Sequence, residues 1–180
     1  MDQTTHETLA KACGISRGLV QHYFPDRDEL ILVTLRYVRA KFQKLCVDAI
    51  ELEETAAAQL RAYIVTACSW AKLSPPDAKV WLLFYYHCGI NRQYRKLNTE
   101  LVGLGQARIE ALLQELSQSK GKVADASVEI RAKLIQNAIT SFYVSSLTEN
   151  QTATFNDQLL KANLELCFKI AGLMEKVIRN

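Results

Sequence analysis

Arg17, Gln21, His22 and Tyr23 crowd into one short stretch that follows Gly14 and precedes Pro25. An Arg guanidinium offers the fork of donors that fits the O6 and N7 of guanine, a Gln amide fits adenine, and an apolar side chain such as Leu19 fits the thymine methyl group. Gly18 costs a helix about 1 kcal/mol against Ala, yet it lets the backbone come close to a partner. Arg27, in the first turn of the following helix, is placed for a phosphate; phosphate contacts set register while base contacts set sequence preference. The residues expected at a double-stranded DNA surface are Thr5, Ser16, Arg17, Gly18, Leu19, Gln21, His22, Tyr23 and Arg27.

Short helices must present such a set. Thr4-Thr5-His6-Glu7 reads as a capping box, with Thr4 as the cap and Glu7 reaching back, and predicts a helix from Thr5 to Cys13 that Gly14 ends. Ser16 then caps a second helix to Phe24, Pro25-Asp26 break it, and Asp26 with Glu29 caps a long helix reaching Ala49. Leu9, Ile15, Val20 and Phe24 are spaced to face inward, which leaves Arg17, Gly18, Leu19 and Gln21 outward. A helix, a Gly-containing turn and a second helix with a hydrogen-bonding outer face make a helix-turn-helix. Between Lys11 and Lys44 there are seven Lys or Arg against three acids, a local excess of the sign that suits nucleic acid.

Helical spacing continues to the end of the chain, in segments expected at Thr55–Leu73, Asp77–Cys88, Arg92–Ser117, Ala126–Leu147 and Thr154–Ile178. Ser74-Pro75-Pro76 and Gly89 read as stops, and Ser119 to Lys122 as a mobile loop. Strand alternation is nowhere sustained. The predicted fold is all-α, an N-terminal helix-turn-helix joined by a long helix to a larger helical bundle, with domains at 1–46 and 47–180.

The stretch "HETLAKACGISRGLVQHYFPDRDELI" resembles the DNA-binding motif of TetR-type bacterial transcriptional repressors. Cys13 to Gly18 match that family's turn, Val20 its leucine, Tyr23-Phe24 the end of its recognition helix, and Arg27 its phosphate-contacting lysine. Gln21 stands where the family usually has tyrosine, while His22-Tyr23-Phe24 is similar to the choline-responsive subgroup. That family has a further helix before Thr4, so the resemblance implies an incomplete helix-turn-helix. The stretch "VWLLFYYHCGINRQYRKLNTELVGLGQARIEALL" resembles the subgroup's effector domain more weakly. The resemblance implies a homodimer through the last two helices and a small-molecule effector bordered by some of Tyr63, Trp81, Tyr85, Cys88 and Phe142.

Other classes fare poorly. The five cysteines are scattered without a C-x-x-C pair, as expected of free thiols in a reducing cytoplasm. His87-Cys88 has no acid or second cysteine a helical turn away, so neither a metal nor a nucleophile is read there, and no cofactor is implied. His6 and His22 read as surface groups, and the acids at 48, 51, 53 and 54 as a solvated helix end. No acid/base pair or phosphate loop suggests an enzyme, and no apolar run suggests a membrane span. The expectation is a cytoplasmic, ligand-responsive DNA-binding regulator, a repressor on a palindromic operator; the alternative is a dimerisation or ligand-binding module that has lost DNA binding with its first helix.

Overall fold

The computed structural model describes residues 5–119, 121, 127–148 and 153–173. Among these there are eight helices and no strand: α1 (His6–Cys13), α2 (Arg17–Tyr23), α3 (Arg27–Glu51), α4 (Ala56–Leu73), α5 (Pro75–Ile90), α6 (Arg92–Ser119), α7 (Ser127–Thr148) and α8 (Ala153–Ala171). The chain divides into two compact units, and the boundary falls after Ala40, inside α3.

In the smaller unit each helix start has its own cap. The Thr5 hydroxyl accepts from the Thr8 amide at 3.1 Å, and the Thr8 hydroxyl accepts from the Thr5 amide at 2.9 Å, a closed box that satisfies two otherwise free donors. The predicted box therefore lies one residue later, with Thr8 in the role given to Glu7; Thr4 is outside the described residues. Gly14 closes α1 in the left-handed region (φ 67°), where its amide bonds Lys11 O and the Ile15 amide bonds Ala10 O at 3.0 Å. Only glycine takes that conformation without steric cost. Asp26 accepts from the Glu29 amide at 2.8 Å and starts α3, as the sequence predicts.

The larger unit is built around α4, which packs against α5, α6, α7 and α8. Its stripe Leu60, Tyr63, Ile64, Ala67 and Cys68 meets Ile109, Leu112, Leu113 and Leu116 of α6, Val128, Ala132, Ile135 and Ile139 of α7, and Cys167 and Ala171 of α8 in one core. A fully buried Leu or Ile in such a core stabilises by about 1.5–3 kcal/mol.

Helix α3 ends at Glu51 and α6 at Ser119, each two residues beyond the sequence reading, and three other boundaries differ from it for a clear local reason. Helix α5 starts at Pro75 rather than Asp77, because a missing N–H and a fixed φ are harmless in a first turn. It also runs through Gly89 to Ile90, and Arg95 donates to the carbonyls of Cys88 and Gly89 at 3.1 Å each, satisfying acceptors at the helix end. Helix α8 stops at Ala171 instead of continuing to 178: Gly172 is left-handed (φ 70°), and its amide and that of Leu173 turn back onto Lys169 O and Phe168 O. Arg131 bonds Ile170 O at 2.8 Å and Arg61 bonds Leu173 O at 3.0 Å, placing two cations at the negative end of α8. Of the predicted loop, Ser119 is the last residue of α6, and Lys120 and Lys122 lie outside the described residues.

Ile135 has no exposed surface, whereas Leu73 at the end of α4 is largely exposed. Ile135→Ala is expected to lower the unfolding free energy by about 3 kcal/mol, while Leu73→Ala changes it by less than about 0.5 kcal/mol. Urea unfolding of both variants checks this.

Candidate nucleic-acid interface and effector region

Helix α2 has only seven residues, of which Val20 alone is buried. Ser16 starts it by accepting from the Leu19 amide at 3.1 Å. At its other end the Phe24 carbonyl accepts from His6 Nε2 at 2.7 Å, which requires the Nε2–H tautomer of His6 and ties the end of α2 to the start of α1. His6 is therefore a half-buried strut rather than the surface group read from sequence; His22 is exposed.

Of the four residues predicted to face inward, Val20 does, Leu9 and Phe24 are half-buried, and Ile15 is 42% exposed. The reason for the last is the left-handed turn at Gly14, which fixes the Ile15 backbone on Ala10 O and gives the inward place to the Ala10 side chain.

The structure places Arg17, Gly18, Leu19, Gln21, His22 and Tyr23 all at the surface of α2, with Arg17 and Gln21 one turn apart on one face. Thr5 and Ser16 are exposed, but their hydroxyls serve the caps of α1 and α2. Arg27 is exposed at the first position of α3. A Cβ on Gly18 would meet nothing nearer than Ser16 Oγ at 4.0 Å, so packing does not require a glycine there.

The larger unit divides the predicted effector residues. Trp81 and Tyr85 meet edge to face at 6.4 Å, and the Tyr85 hydroxyl is hydrogen-bonded by the side chains of Trp81 and Thr140. Burial raises Tyr85 above the usual phenol range. Trp70 stacks on Tyr143 at 5.6 Å and meets Trp81 at 6.0 Å, extending the aromatic group. Cys88, at the end of α5, donates to Tyr94 O at 3.5 Å. Tyr63 lies deeper on α4; a Cβ on Gly105 of α6 would sit 3.3 Å from its hydroxyl and 2.7 Å from Gln136 Oε1. Phe142 belongs elsewhere, on the wall of a cleft between α4, α7 and α8.

Gln136 and Thr140 are one turn apart on α7, so that a polar strip of this helix faces the hydroxyls of Tyr63 and Tyr85. Gln136 Oε1 is buried with no protein partner. Neither residue was singled out in the sequence, although Ala132, Gln136, Ile139, Thr140 and Tyr143 fall on one helical face and interrupt an apolar stripe with two polar groups. Among the described residues no group of three or more His, Cys, Asp or Glu could hold a metal ion, and no helix is long and apolar enough to cross a membrane.

Residues 1–34 match the family described as bacterial regulatory proteins, tetR family. The HTH-type transcriptional regulator BetI of Brucella canis is 28% identical over 154 residues, 81% of this chain and 77% of that protein. The N-terminal helices are thus similar to those of the TetR family. The HTH-type transcriptional regulator BetI of Burkholderia mallei is 31% identical over 100 residues, and there the match spans about half of each chain, 53% of this one and 51% of that one. The TetR fold is shared with a TetR transcription regulator from Haloarcula marismortui (TM-score 0.72, 16% identity, 97% of this chain and 88% of that one). It is also shared with AibR, solved with isovaleryl coenzyme A and operator DNA (TM-score 0.68, 12% identity, 93% and 88%). These likenesses support a DNA-binding transcriptional regulator, and the fold is that of a helix-turn-helix with a helical C-terminal body.

Two predictions concern this region. Ser16→Ala removes the α2 cap and is expected to cost about 1 kcal/mol, seen in hydrogen exchange as faster exchange of the Leu19 amide. Cys46, in the core with Arg108 nearby, is pushed by burial from the usual thiol value of 9.0 up to about 12. The folded chain keeps that proton after the unfolded chain has lost it, so this contribution is intact below pH 9 and is lost as pH rises to 12. Thermal unfolding should therefore show stability falling across this window, with a shallower fall in Cys46→Ala.

Proposed function

We propose that this regulator is a cytoplasmic, non-enzymatic repressor that binds a palindromic operator as a homodimer and releases it when a small molecule binds. The observation that carries the reading is the outer face of α2, where Arg17, Leu19 and Gln21 stand exposed on a helix whose single buried side chain is Val20. In this reading residues 1–46 form the DNA-binding domain with its linking helix, and residues 47–180 bind the effector and dimerise. Arg17 and Gln21 read base edges in the major groove, Leu19 meets a thymine methyl group, and Arg27 holds a phosphate. Thr5, Ser16, Gly18, His22 and Tyr23 complete the contact surface.

Helices α7 and α8 supply the dimer interface. Ile130 and Leu134 on α7 and Leu166 on α8 are exposed apolar side chains on helices that pack together, and a second copy would cover them in a four-helix arrangement. A two-fold dimer sets its recognition helices about 34–36 Å apart, one DNA turn, which is why the operator is read as a palindrome.

The effector is placed beside Tyr63, Trp81, Tyr85 and Cys88, with Phe142 on the neighbouring wall of α7. Aromatic walls with the hydroxyls and amide of Tyr63, Tyr85, Gln136 and Thr140 suit a small ligand that has both apolar surface and hydrogen-bonding groups. AibR, similar in fold, was solved in complex with isovaleryl coenzyme A and operator DNA. Binding acts through population shift: only a ligand that prefers the arrangement of α3 unsuited to the operator can release DNA.

Fluorescence anisotropy with promoter DNA at two salt concentrations tests the assignment. Arg17→Ala is expected to weaken binding to the preferred sequence by about 1–3 kcal/mol while sparing non-specific binding. Arg27→Ala should weaken binding to all sequences alike and lower the salt slope by about one. Equal effects of the two variants on specific and non-specific DNA would overturn the division of roles.

A further inference from the structure

A cleft of about 280 Å³ lies between α4, α7 and α8 of the larger unit. Phe142 and Leu147 of α7, Leu160 of α8 and Ala71 of α4 give it apolar walls. Tyr63, Trp81, Tyr85 and Cys88 do not line it, which makes it a space separate from the effector region. An engineered apolar cavity of about 150 Å³ holds benzene, so this cleft has room for a single ring with a substituent.

Within the lining, Ser146 Oγ donates to Tyr143 O at 2.9 Å, Cys68 Sγ accepts from Asn163 Nδ2 at 3.4 Å, and Lys72 pairs with Asp157 at 3.2 Å. These groups are matched inside the fold. Asn156 is not: its Oδ1 is buried with no protein hydrogen-bond partner. Native folds rarely leave a buried acceptor in that condition, because it has given up water without a replacement. A donor that enters the cleft beside Asn156 supplies the replacement. Charge is constrained as well. Lys72 and Asp157 are largely exposed and neutralise each other, and among the described residues no other charged side chain lines the cleft. An ion seated inside would have no counter-charge.

We propose that the α4/α7/α8 cleft is a second small-molecule site, which takes an uncharged phenol or aromatic alcohol of one-ring size. The ring lies against Phe142, and the hydroxyl donates to Asn156 Oδ1. A hydroxyl brings one donor without charge, whereas an alkyl amine is protonated at neutral pH and an amide brings a carbonyl that needs a donor of its own. A molecule seated there touches α4, α7 and α8 together, so its binding stabilises their packing.

The full chain is titrated with benzyl alcohol, ethylbenzene and benzoate and followed by two-dimensional amide NMR. The three probes share a ring and differ in carrying a hydroxyl, a methyl group in its place, or a carboxylate. Benzyl alcohol should shift the amides of Ser69, Ser146 and Asn156 saturably, and benzoate should leave them in place. Water holds the alcohol better than the hydrocarbon, so a purely apolar cleft would favour ethylbenzene. Binding of benzyl alcohol at least as tight as that of ethylbenzene is therefore expected only if its hydroxyl finds a partner. Asn156→Leu keeps the size of the side chain and removes the acceptor; it should move the ratio of the two affinities about tenfold toward ethylbenzene. Tighter binding of ethylbenzene to the unaltered chain, an unchanged ratio in Asn156→Leu, shifts confined to the surroundings of Trp81 and Tyr85, or no saturable shift up to the solubility of the probes would overturn the proposal. If the variant does not fold, the selectivity of the unaltered chain and the place of its shifts decide.

Discussion

Along α4, Leu60, Tyr63, Ile64, Ala67 and Cys68 recur at spacings of three and four residues, and all are buried because four other helices pack against this one. Two sides of α4 are thereby withdrawn from water, which leaves Arg61, Val65, Lys72 and Leu73 to face outward. A helix shared by so many neighbours cannot shift without repacking them, since cores are close-packed and respond to changes of a single methylene. Any movement that a ligand produces in the larger unit must therefore be small and shared, or must occur at the edges of the α4 stripe, where the packing becomes polar.

Those edges are where the unusual chemistry collects. Tyr143 donates to Ala78 O and Tyr85 bonds Thr140 and Trp81, so that each phenol reaching into the aromatic group has a partner. Burial raises both above their ordinary range, which keeps them neutral donors at physiological pH. At the α6 side, Gln136 can lie over Gly105 only because no Cβ stands there: at 2.7 Å a methyl group would displace its oxygen. The same glycine leaves the Tyr63 hydroxyl and the Gln136 amide facing a common point. Small-for-large exchange of this kind on α6 is what makes room for polar groups inside an otherwise apolar layer.

How much of this was legible in the sequence follows from the range of the interactions involved. Caps at Ser16 and Asp26 depend on residues three apart and were readable, as were the helical class and the outward character of Arg17 and Gln21. The errors came where a local signal has two solutions. Pro75 reads as a breaker but also fits a first turn; Gly89 reads as a stop but stays helical with Arg95 on the nearby carbonyls; Gly172 sits in an apolar run that masks its left-handed turn. Ile15 was misplaced because hydrophobic spacing assumes a continuous helix, and the turn at Gly14 reorients it. The approach of Tyr63 and Gln136 to one point over Gly105 brings together residues far apart in the chain, and no periodicity within one helix encodes which face of another it will meet.

Helix α2 carries the same logic to its limit. At seven residues it is far below the length at which an isolated helix holds in water, about 12–15 residues, and it buries a single side chain. Its persistence rests on the Ser16 hydroxyl, the Gly14 turn, Val20 and the His6 bond to Phe24 O, all of them at its ends or beneath it. Because support comes from these four points, the remaining side chains are released from structural duty. Gly18 is the sharpest instance: alanine would fit the space and favour the helix by about 1 kcal/mol, so neither packing nor propensity accounts for the glycine. In the proposed reading, a residue that weakens a marginal helix and relieves no clash within the fold serves a partner that approaches the backbone of α2 closely.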